Sequence, residues 1–213
     1  MSESGSTFSP TCPIEQAAEI MGRNIYGVGN AMDHFKFFPP AEQGRSLRTV
    51  PFSPEVLKAC NETHLLVLCA PLSLMGVWEK QSKLFCSKED PWYANERFAA
   101  IPAELGWQLV RKDCLPDSLK KTWAEQLKLL SEQEEVSSPA VLAQAILLHF
   151  LETGERLFDR IYVRTPSTDS VGDHVVLGYF VGHGLGVSRC WDGNSDSGIG
   201  LSSAWKLMEP LKS

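Results

Sequence analysis

The order of apolar and polar residues divides the chain near residue 157. Before that point apolar positions recur mostly at helical spacing; after it they alternate. "PIEQAAEIMGRNIYG" (13–27) puts Ile14, Ala17, Ala18, Met21 and Ile25 on one stripe, with Pro13 suited to a first helical position. Residues 30–38 predict a second short helix, stopped by Pro39 and Pro40. Residues 51–63 predict another, with Ser53 as cap and Pro54 opening it. "HLLVLCA" (64–70) is a continuous apolar run and predicts a central strand buried on both faces, followed by a short helix with Ser73 near its start. Asp90 and Pro91 open a helical turn over 90–98. Residues 106–113 alternate as a strand, with Trp107, Leu109 and Arg111 on one side.

Two longer helices follow. Over 118–135, Leu119, Trp123, Leu127 and Leu130 form one stripe opposite a charged face. Over 139–153, Ser138 caps, Pro139 opens and Gly154 ends a helix so uniformly apolar that burial is expected. "LFDRIYVRT", "HVVLGYF" and "LGVSRCW" then predict an antiparallel meander, and "LSSAWKLM" (201–208) a closing helical turn. Together these elements predict an α+β fold: a mainly antiparallel sheet of about five strands packed against helices 118–135 and 139–153, with the N-terminal helices as an added layer. The expected core includes Leu66, Leu68, Trp107, Trp123, Leu127, Ile146, Phe150, Val163, Val176 and Phe180. Residues 1–12 are expected to be a flexible polar tail and 13–213 a single domain.

Composition narrows the classes. The net charge of −6 and pI near 5.4 argue against wholesale binding to nucleic acid or anionic membrane. Pro71 breaks the longest apolar stretch, 64–78, short of the ~20 residues of a membrane helix. The N-terminal residues show no signal-peptide pattern. The six cysteines show no CxxC spacing, so reduced thiols and a cytoplasmic location are expected.

Candidate chemistry is sparse. Asp192, Asn194 and Asp196 alternate like the first ligands of a calcium loop. Ser197 stands where that loop needs glycine, and Ser203 where it needs glutamate. Gly182, Gly184 and Gly186 form a GxGxG string with no helix after it to hold a phosphate. A His174/His183/Asp192 metal cluster has no supporting spacing. No metal and no cofactor is expected. The strongest polar group is Glu155, Arg156 and Arg164, with Lys121 and Trp123 on the preceding helix. These types could hold an anionic ligand by bidentate contacts, or simply tie a helix end to the sheet. Residues 14–36 have the cadence of a helix-turn-helix, but only Arg23 and Lys36 are basic there, so nucleic-acid binding is disfavoured.

"AAEIMGRNIYGVGNAMDHF", "KTWAEQ" (121–126), "TGERLF" (153–158), "YVR" (162–164) and "DS-x-G" (169–172) resemble a family of uncharacterised bacterial proteins of about this length, over residues 16–206. The resemblance implies bacterial origin and one integral domain, and brings no activity, cofactor, partner or residue role. Asn194 and Asp196 lie outside its pattern, which weakens the calcium reading further. The leading expectation is a non-catalytic binding or interaction protein with a protein or small-molecule partner. A small-molecule-binding protein or enzyme with an anionic ligand near Glu155, Arg156 and Arg164 is the alternative, and DNA binding through 14–36 the third.

Overall fold

The computed structural model describes residues 10–207. It is mixed α and β, as expected. Elements run β1 (Cys12–Pro13), α1 (Ile14–Met21), β2 (Ile25–Tyr26), α2 (Val28–Phe35), α3 (Ala41–Ser46), β3 (Thr49–Val50), α4 (Pro54–Cys60), β4 (His64–Cys69), α5 (Leu74–Gln81) and α6 (Arg97–Ala100). They continue as β5 (Gly106–Arg111), α7 (Trp123–Leu127), β6 (Glu134–Glu135), α8 (Pro139–Thr153), β7 (Tyr162–Thr168), β8 (His174–Val181), β9 (Gly184–Cys190), β10 (Ile199–Leu201) and β11 (Ala204–Trp205).

The expected single, mainly antiparallel sheet is instead two mixed sheets and a small ribbon. One sheet has the order β2-β4-β5-β11-β6, the other β10-β7-β8-β9, and β1 pairs with β3. Each large sheet contains one parallel pair, β2 with β4 and β10 with β7. The cause lies in segments too short to show a period. "IY" at 25–26 leaves the predicted first helix and joins β4. "LSSAW" forms no helical turn but donates strands to both sheets, and Met208 at its end lies outside the described residues. The meander β7-β8-β9 forms as predicted.

α8 lies between the sheets. Its caps are those read from the sequence: Ser138 Oγ accepts from Val141 N, Pro139 opens the first turn, and Gly154 closes it at φ 75. Pro139 through His149 are all buried. One core gathers around it from Leu65, Val67 and Cys69 of β4 and Val175 and Leu177 of β8. Leu66 and Leu68 point the other way, with Trp107 and Leu109, under α1 and α4. β4 is therefore buried on both faces, with α1 and α4 layered over the outer one, while α2 packs on the α8 side. Each fully buried leucine here contributes about 1.5–3 kcal/mol. Gln144, buried within α8, accepts from Ala70 N and donates to Ala70 O, so it satisfies the backbone where β4 ends.

The predicted helix 118–135 is reduced to α7. Asp117 and Lys120 sit at φ 60 and 56, outside helical conformation. The helix starts only at Thr122, boxed by Glu125, and beyond Leu127 the chain passes through tight turns into β6. The leucine stripe is not the buried face: Leu127 is 39% exposed and Leu119 37%, while Gln126 is fully buried. Trp123 and Phe150 are half-buried; apart from these and Leu127, the other seven expected core residues are buried. Cys12, assigned to the tail, is buried in β1, so the folded unit begins before residue 13; residues 1–9 of that tail lie outside the described residues.

Between α1 and α2 lie a 3-10 turn and strand β2 rather than the turn of a helix-turn-helix, and α2 packs against α5 and α8. No helix among the described residues is long and apolar enough to cross a membrane. All six cysteines are free.

His64 opens β4 with its ring buried. Its Nδ1 meets Thr63 Oγ1 at 2.8 Å, and its Nε2 has no partner among the described residues. Burial, reinforced by the Arg111 charge opposite, pushes its pKa from 6.5 down to about 4. The folded state therefore refuses a proton that the unfolded chain accepts. Stability is full above pH 6.5 and falls as pH drops from 6.5 to about 4, by about 1.4 kcal/mol per unit and about 3 kcal/mol in all. Urea midpoints measured across that window should fall steeply for the natural chain and less steeply for His64→Gln. Parallel curves would show that His64 is not the source.

Candidate functional site

The structure separates the expected Glu155, Arg156 and Arg164 group. Glu155 follows α8 and is exposed; its carboxylate meets Arg23 at 3.3 Å and His149 Nε2 at 3.4 Å. Arg156 lies over the Phe150 ring at 4.7 Å and the Phe180 ring at 5.4 Å. Arg164 points into the outer side of the β10-β7-β8-β9 sheet and is 1% exposed. Among the described residues, these side-chain contacts share no partner between any two of the three.

Arg164, Lys121 and Trp123 do come together, but around the protein's own backbone. The guanidinium donates to Lys121 O (3.2 Å), Gln126 Oε1 (2.6 Å), Asn194 O (2.6 Å) and Cys190 Sγ (3.2 Å). The Trp123 ring lies tilted against that of His174 with centroids 4.2 Å apart, and the Trp123 backbone N–H donates to Asp192 O. The ring nitrogens of His174 face Thr165 O at 2.9 Å and Asp192 Oδ1 at 3.3 Å. These contacts fasten α7 and residues 191–198 over the sheet. The side chain of Lys121 lines an open hollow of about 820 Å³ with Asp117 and Lys120, and Arg164 is not part of its wall.

The alternating oxygens are likewise spoken for. Asn194 Oδ1 accepts from Asp196 N, and Asp196 Oδ1 from Gly198 N, the side-chain-to-backbone bonds of a polar turn. His183 sits at the β8–β9 turn, at the far end of the hairpin from His174. No group of three or more His, Cys, Asp or Glu among the described residues is placed to hold a metal ion.

A second polar chain joins β2 to α8. Tyr26 Oη is 2.8 Å from His149 Nδ1, and both rings are buried. Glu155 on Nε2 favours a proton there, which leaves Nδ1 to accept from the tyrosine. Burial, with Glu152 nearby, raises the Tyr26 pKa to about 12, and burial lowers that of His149. This chain closes a helix onto a strand; its hydroxyl is turned inward.

The concave surface is elsewhere, at the β6 edge of the five-stranded sheet. A groove of about 320 Å³ is lined by Pro51, Phe52, Val56, Trp205 and Leu207, with Pro10, Ser53, Glu132, Gln133 and Lys206 around them. Phe52 is there because the turn before α4 carries it inward; Val56 is one turn into that helix. Trp205 is there because β11 directs it to the α1/α4 face. On the opposite face of the same edge lies a hollow of about 610 Å³, with Glu104, Gln108, Glu135, Ser137, Val141 and Lys206 in its wall. None of these residues was singled out from sequence as part of a site. The signal available was "EQEEVSS" (132–138), whose glutamate run and β-branched valine fit a helix end poorly. Compared with family models, curated proteins and solved structures, the chain matches none of the three.

Proposed function

We propose that this chain is a non-catalytic binding protein of the bacterial cytosol, and that the groove at Phe52, Val56 and Trp205 is where its partner docks. The groove carries the reading. Its volume accommodates one or two apolar side chains, its wall is apolar, and Lys206 and Glu132 edge it. Glu155, Arg156 and Arg164 support the same view, because their side chains meet the protein itself rather than converge on a cleft. An anionic-ligand site would need Glu155, Arg156 and Arg164 on one cavity.

The test is a titration with small apolar fragments, indole and hexanol, followed by the Trp205 indole N–H resonance. A saturable shift is expected, weakened at least about tenfold by Val56→Asp at a half-buried position of the wall. No saturable shift at Trp205 with either fragment would end the proposal.

A further inference from the structure

The two hollows flank one strand from opposite faces, and that strand is the last of its sheet. β6 pairs with β11 on one side only, Glu134 with Trp205 and Glu135 with Ala204. Lys206 N donates to Gln133 O, so the alternation of an antiparallel ladder turns the backbone of Glu134 and Val136 to the open side. Glu134 N is taken by Ser131 O. The Val136 backbone enters none of the hydrogen bonds found among the described residues.

We infer that the open edge at residues 134–136 receives an extended basic segment of a partner protein as an added strand, its successive side chains entering the two hollows in turn. This rests on the binding reading of the apolar groove. Side chains of a strand alternate between faces. β11 shows which faces: Trp205 belongs to the core under α1 and α4, Ala204 to the core around α8. One residue of the incoming strand therefore meets the apolar groove and the next meets the second hollow. That hollow offers Glu104, Glu135 and the Ser137 hydroxyl, which is buried without a partner among the described residues. The one cation among the described residues of its wall, Lys206, donates to Glu132 O at 2.8 Å. The acceptors suit a lysine or arginine. The edge itself carries Glu132, Glu134 and Glu135, so the same edge of a second copy would set glutamate against glutamate, whereas a basic strand finds complementary charge. Main-chain bonds would supply affinity and the hollows specificity.

The experiment uses the full chain and two capped hexapeptides of equal charge: one alternates leucine and arginine, the other has three leucines followed by three arginines. The alternating peptide should bind at least about tenfold more tightly and shift the amide of Val136 together with the Trp205 indole. Its affinity should fall about tenfold in Glu104→Gln/Glu135→Gln and be lost when alternate peptide amides are N-methylated. Equal binding of both peptides would reduce the effect to net charge and overturn the inference. A shift at Trp205 alone, indifferent to N-methylation, would keep the groove and remove the added strand. Silence at Trp205 with peptides and apolar fragments alike would remove both. Concentration-dependent dimerisation that perturbs Val136 would assign the edge to a second copy and overturn the inference.

Discussion

Arg164→Met should cost about 4 kcal/mol of stability, read as a shift of the urea midpoint at unchanged slope. The guanidinium is buried with no ion pair to a carboxylate among the described residues, an expensive placement that persists because four acceptors surround it. Hydrogen bonds to a charged group contribute about 1.5–3 kcal/mol each, and removing the donor strands Gln126 Oε1 and two carbonyls in a dry site. Relief of the guanidinium's own desolvation offsets part of the loss, which is why the estimate stays near that of two bonds rather than four. Arg164→Lys should recover less than half, because an ammonium lacks the planar fork that reaches β9, α7 and Asn194 together. Hydrogen exchange should rise in residues 120–127 and 191–198 while α8 keeps its protection. A loss below about 1 kcal/mol would show that the arginine is not the fastening point.

Gly178→Ala should be at least as damaging, at more than about 3 kcal/mol, and should yield largely insoluble protein. Gly178 is at φ 138, which side-chain-bearing residues rarely adopt, and a Cβ there would run into the Ile161 carbonyl oxygen. Backbone cannot yield as a side-chain tip can, so β7 would have to part from β8. Gly182→Ala, at the turn of the same hairpin, faces open space and should change stability by no more than about 0.5 kcal/mol. Similar losses at both positions would mean that glycine is needed here for some reason other than space and conformation.

What could be read from the sequence follows from how many residues carry each signal. α8 was legible to its last residue because fifteen positions, a cap, a proline and a glycine all agree. β4 was legible because the six apolar residues in a row from Leu65 to Ala70 have few other homes. β2, β6 and β11 were not: two residues hold no period, and their partners are distant in sequence. α7 was misjudged because a leucine stripe outweighed Gln126, which is buried for its bonds to Ser118 O, Ile199 O and Arg164. The same blindness hid the sheet edge, whose two hollows exist only once β11 has returned to pair with β6. Arg164 lies against the backbone of Lys121, but composition alone cannot say whether an arginine faces a ligand or a loop.

The position of α8 between two sheets has a consequence for synthesis. Its partners on one side, β4 and β5, precede it in the chain; those on the other, β7 and β8, follow it. While the ribosome has released 139–153 but not yet 162–181, the helix shows water an uncovered face of apolar side chains. That interval is when the nascent chain most needs a chaperone, and it ends when the β7–β8 hairpin closes over the helix.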